Sequence, residues 1–340
     1  MQAEKTMLYR LHTDEGARRL SLHEETMPRI GPGQVLVRMR AASLNYRDLL
    51  VLDGAANAVD GLIPLSDGAG VVMEAGEGVH GIAPGDGVVT RFFADWLDGP
   101  YERHYARSAL GGNAQHGVLS EVACLPASAV LPLPARLTFA QAASLPCAAV
   151  TAWQAMFIRT RVARGDTVLI QGTGGVAVFA LQFARAVGAR TIVISSSDDK
   201  LQRAALLGAD ELINYRQHPE WDRRVLALTG GRGATFILEN GGPASFDRSL
   251  NALAPGGRIA QIGVLTGFGP TSNLMPLQNL NADILGITVG SGTHMLSMLS
   301  FMEQHAIVPV IDAEFQFAEA EAAYAALRAA RHFGKIIIRF

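Results

Sequence analysis

The chain has few cysteines, no long apolar run and no excess of charge of either sign. Its two cysteines, Cys124 and Cys147, cannot form a disulfide framework, so a reducing, cytoplasmic location is expected. No apolar stretch reaches the ~18 residues of a membrane span, and the first residues lack the apolar core of a signal peptide. The balance of 29 basic and 31 acidic residues argues against a nucleic-acid or membrane partner. At 340 residues the chain is long enough for two domains.

A glycine-rich turn between an apolar run and a helix pattern is the strongest signal in the chain. Residues 168–171 predict a buried strand, and the turn that follows has the form G-x-G-x-x-A. Gly172 allows a tight turn, Gly174 lets the backbone approach a pyrophosphate, and Ala177 permits close packing of the helix on the strand. A second strand at 191–194 completes a β-α-β unit. We therefore predict a dinucleotide site with contacts from Gly172, Thr173, Gly174, Gly175 and Val176.

The pattern of elements changes along the chain. Before residue 127, short alternating segments such as Gln34–Ser43 predict a β-rich domain. After residue 168, strands alternate with helices, which predicts a doubly wound parallel sheet covered on both faces. The last strand, Lys335–Phe340, has no helix after it and is expected to rejoin the β domain. The predicted α/β organisation is a β-rich domain at 1–127, a Rossmann domain at 128–291 and a C-terminal return at 292–340.

Several separated motifs occur in one order along the chain. They are Asn45-Tyr46-Arg47-Asp48, PLSDGAG at 64–70, Pro84-Gly85-Asp86, AASLPCAAVTAW at 142–153, the turn at 171–176 and Ile213-Asn214-Tyr215-Arg216. Together they resemble the medium-chain dehydrogenase/reductase superfamily, and within it the zinc-free quinone oxidoreductase branch. The resemblance covers essentially the whole chain. It implies a GroES-like catalytic domain interrupted by the Rossmann domain, an active site in the cleft between them, and a homodimer formed through the Rossmann domains.

The resemblance also bears on metal binding. Zinc-dependent members of the superfamily hold catalytic zinc with a cysteine, a histidine and a later cysteine, whereas this chain has Asn45, Ser66 and Cys147 at those positions. Catalytic zinc needs three protein ligands, so one thiol is insufficient. The cysteine-rich lobe for structural zinc is also missing, and the histidines show no ligand spacing. We predict that no zinc is bound and that Cys147 is a small buried hydrophobe rather than a nucleophile.

The residues after the second Rossmann strand bear on cofactor choice. An NAD-preferring site has Asp or Glu about 20 residues past the glycines, where this chain has Ser196 within a run of three serines. Serine does not repel a 2′-phosphate, Lys200 can supply charge, and Tyr215 resembles the family tyrosine beside that phosphate. NADP(H) is therefore favoured over NAD(H). The alternative is that Asp198 or Asp199 disfavours the phosphate or caps the next helix, with Lys200 a solvated surface residue.

Without a metal, only hydrogen-bond donors can stabilise charge that develops on a substrate oxygen. The nicotinamide delivers the hydride, so the substrate must already be a good electrophile, such as a quinone or an α,β-unsaturated carbonyl. We expect Asn45 to act as an amide donor near the nicotinamide and substrate oxygen, and Tyr46 as a phenolic donor or proton source. The alternatives are that Asn45 caps the following helix and that Tyr46 is half-buried packing.

Four further residues are candidates for cofactor contact. Thr151 resembles a threonine that bonds the nicotinamide carboxamide, although it can also be a helix-internal residue. Asn240, Gly263 and Val264 follow later strands at the carboxyl edge of the sheet, where cofactor contacts are expected. The predicted activity is NADPH-dependent reduction of a small electrophile. An alcohol dehydrogenase and a nucleotide-binding protein with little catalysis are the alternatives.

Overall fold

A computed structural model of the chain describes residues 4–14, 17–54, 58–267, 269 and 272–340. Its strands, in chain order, are β1 (Lys5–Asp14), β2 (Ala17–Thr26), β3 (Gln34–Ser43), β4 (Asp67–Ala75), β5 (Gly87–Thr90), β6 (Val122–Pro126), β7 (Val130–Pro132), β8 (Thr167–Gln171), β9 (Arg190–Ser195), β10 (Glu211–Asn214), β11 (Ala234–Glu239), β12 (Leu253–Gln261), β13 (Asp283–Gly286), β14 (Ile311–Gln316) and β15 (Lys335–Arg339).

The longest α-helices, α4 and α9, lie in the second half of the chain. The α-helices are α1 (Tyr46–Leu52), α2 (Phe139–Ala143), α3 (Val150–Trp153), α4 (Gly175–Ala186), α5 (Asp198–Leu206), α6 (Trp221–Leu228), α7 (Pro243–Ala252), α8 (Met275–Asn279), α9 (Gly292–Gln304) and α10 (Ala320–Arg328). Short 3-10 helices lie at Arg103–Ser108, Ala127–Ala129 and Phe317–Glu319. In the described part of the chain, no helix is both long and apolar enough to cross a membrane.

The chain forms two compact units, the first made of Met1–Val150 with Val289–Phe340 and the second of Thr151–Thr288. The first unit thus extends past residue 127, where the predicted β-rich domain ends. Its helix α2 packs against β3 and β4, which explains why the helical segment that begins at Phe139 belongs with this sheet.

The first unit is built on a sheet in the order β14-β15-β3-β4-β5-β7, with β6 also paired to β3. From Val37 to Ala41, strand β3 alternates buried and exposed side chains, because one face covers the core there and the other does not. Strand β15 runs antiparallel to β3, with Ile337 opposite Ser43. Strand β15 thus lies in the same sheet as β3, and the pairing places Lys335 beside the residues that follow β3.

The second unit is a parallel sheet in the order β10-β9-β8-β11-β12-β13. This is the doubly wound order predicted from the alternation of strands and helices. Val168, Leu169 and Ile170 of β8 are fully buried because helices cover both faces of a central parallel strand. Helix α4 is followed by Gly188, whose φ of 71° is the left-handed conformation that favours glycine.

The helical run after α2 is irregular. Two π-helical turns, Leu145–Ala149 with Pro146 in its first turn and Gln154–Ile158, flank α3. Proline lacks the N–H that an α-helical bond needs, and a π-turn accommodates that loss without ending the helix.

The alternative in which Asp198 or Asp199 caps α5 does not hold in the structure. The cap is Ser197, which has an extended backbone and whose hydroxyl accepts from the Lys200 N–H. The Asp198 carboxylate instead accepts from Asn214 Nδ2 at 2.8 Å and Gln217 Nε2 at 2.7 Å. These bonds direct Asp198 toward the loop after β10.

Candidate functional site

Asn45 lies at the start of α1 and is held by a buried lysine from the other end of the chain. Lys335 Nζ donates to Asn45 Oδ1 at 2.6 Å and to the Leu44 carbonyl at 2.6 Å. Asn45 is 8% exposed and Lys335 only 3%. Because an ammonium only donates, the amide oxygen must face Lys335. Asn45 Nδ2 is then the group that does not face Lys335, and it is buried without a hydrogen-bond partner among the described residues.

Asp48 completes the start of α1. Its Oδ2 accepts the backbone N–H of Asn45 at 2.7 Å, while Oδ1 is buried without a partner in the described structure. Burial raises the pKa of this carboxyl to about 6, and the charge of Arg47 opposes the rise. The same buried region contains Tyr324, whose hydroxyl has no described partner and whose pKa is raised well above its ordinary value by burial and then by Asp48. Burial therefore keeps the Tyr324 hydroxyl protonated at neutral pH and moves the ionisation of Asp48 up to about pH 6.

Asn45, Ser66 and Cys147 are the positions at which the family resemblance would place zinc ligands. Ser66 donates to Asp67 Oδ1 at 2.6 Å, and the backbone N–H of Cys147 donates to Asp67 Oδ2 at 3.0 Å. Burial, and then the charge of Asp67, raises the pKa of the Cys147 thiol. A cysteine that binds zinc must be a thiolate, which the raised pKa of Cys147 disfavours. The Asn45 side-chain oxygen already accepts a hydrogen bond from the Lys335 ammonium. This donor set does not fit catalytic zinc.

No group of three or more His, Cys, Asp or Glu side chains within the described ranges is arranged to hold a metal ion. The raised thiol pKa also disfavours Cys147 as a nucleophile, because the thiolate is the reactive form.

The loop before β4 is strained where it directs Ser66 into this cluster. Leu65 has a φ of 69° although it is fully buried and is not glycine. Such a conformation costs about 1–3 kcal/mol and persists where the surroundings enforce it. Gly111 and Gly117 approach the Leu65 backbone so closely that a Cβ at either position would overlap it. Arg47 holds the neighbouring segment that contains Gly111, because its guanidinium donates to the Leu110 and Gly111 carbonyls at 2.8 and 3.1 Å.

The other two predicted residues near these elements have different environments. Tyr46 is the first residue of α1, next in sequence to the buried Asn45, and is 38% exposed. Thr151 is buried on α3, between the two π-helical turns.

In the second unit, the predicted glycine turn joins β8 to α4. Gly172 has a φ of 78° and its N–H donates to the Ile194 carbonyl at 2.8 Å, which fixes the turn. Thr173 is buried, Gly174 is the extended residue before the helix, and α4 begins at Gly175 and Val176. The first N–H groups of a helix lack intrahelical acceptors and carry the positive end of its dipole. These residues fit the pyrophosphate of a dinucleotide.

The residues predicted at the 2′-phosphate come together at one edge of the sheet. Strands β9 and β10 pair with Ser195 opposite Asn214, so Ser196 and Tyr215 follow neighbouring strand ends. The Tyr215 N–H donates to the Ser195 carbonyl at 3.0 Å. Lys200 lies in the first turn of α5, which starts from the same edge.

The loop after β11 is organised by Glu239, a residue that sequence reasoning did not single out. Glu239 is fully buried, and its carboxylate accepts from several donors. These donors are Gln171 Nε2 at 2.6 Å, Ser245 Oγ at 2.7 Å, Gly241 N at 2.9 Å, Gly242 N at 3.0 Å and Ser249 Oγ. Asn240 Nδ2 in turn donates to the Gln171 carbonyl at 3.0 Å. One carboxylate thus ties the ends of β8 and β11 together.

The predicted Gly263 and Val264 lie against that loop. The N–H groups of Ile262 and Gly263 donate to the Glu239 carbonyl at 3.0 and 3.1 Å. A Cβ at Gly263 would overlap the backbone of Asn240, so only glycine permits this approach. Asn240, Gly263 and Val264 are therefore adjacent, at the carboxyl edge of the sheet.

Comparison with known proteins agrees with this two-part construction. Residues 31–135 match the family model of the alcohol dehydrogenase GroES-like domain, and residues 175–304 match that of the zinc-binding dehydrogenase. A zinc-type alcohol dehydrogenase-like protein of Schizosaccharomyces pombe is 42% identical over 93% of both chains. The acryloyl-coenzyme A reductase of Metallosphaera sedula is 30% identical over 92% of this chain and 93% of its own length.

A solved structure from Sinorhizobium meliloti 1021, which carries a provisional alcohol dehydrogenase name, is 41% identical. It covers 100% of both chains with a TM-score of 0.92. The family models match the predicted pairing of a GroES-like part with a Rossmann part, and these relatives extend the likeness over nearly the whole chain. The chain belongs to the medium-chain dehydrogenase/reductase superfamily and is an NAD(P)-dependent oxidoreductase.

Proposed function

We propose that this protein is an NADPH-dependent reductase of quinones or α,β-unsaturated carbonyls that works without a metal, as in the zinc-free quinone oxidoreductase branch. The observation that carries the proposal is the hydrogen bond from Lys335 Nζ to Asn45 Oδ1 at 2.6 Å. It puts a fixed cation beside the first position of the family's zinc site and leaves an amide donor, Asn45 Nδ2, without a described partner. A single amide donor suits substrates whose added charge spreads over a conjugated system.

The chemistry assigns separate tasks to the chain's own residues. NADPH, when bound, supplies a hydride to the β-carbon of the conjugated substrate. Asn45 Nδ2 donates to the carbonyl oxygen as that oxygen gains negative charge. The α-carbon then takes a proton, which we assign to the exposed Tyr46 hydroxyl in exchange with water. In the net reaction, the enone gains a hydride and a proton and becomes a saturated carbonyl compound.

Preference for NADPH over NADH is part of the proposal. Ser196 does not repel a phosphate, and Lys200 and Tyr215 start from the same sheet edge. The carboxylate of Asp198 is engaged by Asn214 and Gln217, which reduces the repulsion it would otherwise exert. These contacts support a 2′-phosphate site at the ends of β9 and β10.

The names of the relatives support two reactions. The Metallosphaera sedula protein is named for the reduction of acryloyl-coenzyme A, a conjugated thioester, which supports a conjugated carbonyl as the substrate. The Schizosaccharomyces pombe protein is named as zinc-type alcohol dehydrogenase-like, which supports the second candidate, an NAD(P)-dependent alcohol dehydrogenase.

The decisive assay is NADPH oxidation with a panel of quinones and enones, each enone paired with the saturated ketone of the same skeleton. We expect turnover of the conjugated compounds, little turnover of the saturated ketones, and no change after dialysis against a chelator. Steady oxidation of simple alcohols, lost on chelation together with about one zinc per chain, would establish the alcohol dehydrogenase instead. Tight NADPH binding with no turnover of any compound would identify a nucleotide-binding protein with little catalysis.

We also propose the homodimer that the family resemblance implies. Light scattering at micromolar protein concentration tests this directly. A monomer mass in the presence and absence of NADPH would contradict it.

A further inference from the structure

Lys335 is a buried cation whose two described hydrogen-bond acceptors are both neutral. They are the Leu44 carbonyl and Asn45 Oδ1, each 2.6 Å from Nζ. Taking an ammonium out of water is costly, and a neutral acceptor compensates less than a carboxylate bonded to it directly. The nearby charge of Asp48 interacts with Lys335 electrostatically, without a hydrogen bond between the two. A lysine buried in this way lowers the stability of the folded state, which suggests that it has a role other than stabilisation.

The same bond determines what Asn45 presents to a ligand. With Oδ1 fixed on the ammonium, the amide cannot flip, and Nδ2 is the group left unpaired. An amide whose oxygen accepts a charged donor is polarised, and its own N–H groups become stronger donors. Buried donors are nearly always paired in folded proteins, so the unpaired Nδ2 indicates a missing partner that accepts hydrogen bonds.

We infer that Lys335 is a positioning residue for Asn45 and that the two act as one electrophilic unit. The ammonium holds and polarises the carboxamide, and Nδ2 donates to the carbonyl oxygen of the conjugated substrate as its charge develops. This inference rests on the proposed function and assigns the task of a Lewis acid to a lysine-amide pair. Its members lie 290 residues apart in the sequence and are brought together by the pairing of β3 with β15.

The test compares Lys335→Met, Asn45→Ala and the double variant in NADPH-dependent enone reduction. Removing one donor to a developing oxyanion typically lowers kcat by about 100-fold or more, and we expect that loss for Asn45→Ala. We expect Lys335→Met to lower kcat at least about 10-fold and the double variant to be no slower than Asn45→Ala, because residues that act as one unit are not additive. NADPH affinity, measured by fluorescence titration, should stay within about 2-fold of wild type, since the unit acts on the substrate.

Two further variants separate function from folding. Asn45→Asp keeps the bond to Lys335 and the shape of the side chain but removes the Nδ2 donor, so it should lose kcat even where Lys335→Met fails to fold. Ser43→Ala is the matched control, because Ser43 Oγ donates to the Ile336 carbonyl at 3.2 Å within the same strand pair. The control should lower Tm and leave kcat unchanged.

Specific outcomes would overturn the inference. The first is a folded Lys335→Met enzyme with wild-type kcat, and the second is additive losses of kcat in the double variant. The third is an active Asn45→Asp enzyme. The fourth is a Lys335→Met enzyme that loses only NADPH affinity, which would assign Lys335 to the cofactor. These results, obtained with a wild-type enzyme that reduces enones, would leave the proposed function intact. A wild-type enzyme that reduces no conjugated carbonyl would overturn both.

Discussion

The buried carboxyl of Asp48 predicts that stability depends on pH in an unusual direction. Burial raises its pKa from 3.8 to about 6, so the folded state holds the proton more tightly than the unfolded state does. The stabilising contribution is complete below the unfolded value and is lost as pH rises through the folded value. A rise of this size corresponds to about 3 kcal/mol. Asp48→Asn removes the ionisation, and its amide oxygen can still accept the Asn45 N–H.

The assay is the difference in unfolding free energy between wild type and Asp48→Asn, measured by denaturant titration at several pH values from 4 to 7.5. We expect this difference to move by up to about 3 kcal/mol in favour of the variant across that range. Asp53→Asn is the control, because Asp53 pairs with Arg328 at an exposed site, where an ion pair contributes at most about 1 kcal/mol. A difference that is constant with pH, or that moves in favour of wild type, would refute the argument, because it would mean that Asp48 is ionised throughout.

Three other substitutions test the second unit. Lys200→Ala should raise the KM for NADPH much more than that for NADH, and equal changes would contradict its assignment to the 2′-phosphate. Glu239→Ala should lower Tm, since it leaves several buried donors unpaired at about 1–3 kcal/mol each before relaxation, and an unchanged Tm in thermal unfolding would contradict this. Gly263→Ala should weaken NADPH binding in fluorescence titration because its Cβ overlaps Asn240, while Gly286→Ala, whose Cβ meets nothing within 4 Å, should not.

The parts of the fold that were predictable are those with local causes. The β8-turn-α4 unit follows from an apolar run, glycines at fixed spacing and a helical period, all within about one β-α-β unit of chain. Such features are determined by residues close together in the sequence, and tertiary packing does not change them.

The parts that were missed depend on residues far apart in the chain. Lys335 meets Asn45 across 290 residues, and Glu239 meets Gln171 across 68. A partial signal for both exists, because each is a charged residue at the end of an otherwise apolar strand, where burial demands a partner. The cap of α5 was missed for the opposite reason: Ser197 and its aspartate neighbours are all good caps, and only the bonds of Asp198 to the β10 loop decide between them.

Glu239 and Lys335, two of the buried charged residues, differ in one respect that bears on their roles. Glu239 accepts from donors on both of its oxygens, so its network is closed and serves to hold the loops after β8 and β11 rigid. Around Lys335 the network is open, because Asn45 Nδ2 and Asp48 Oδ1 are buried without described partners. A closed buried network adds stability, whereas an open one leaves a desolvated donor whose cost is recovered only when a ligand accepts from it. This difference supports our proposal that Asn45, rather than the loop that Glu239 organises, donates to the substrate oxygen.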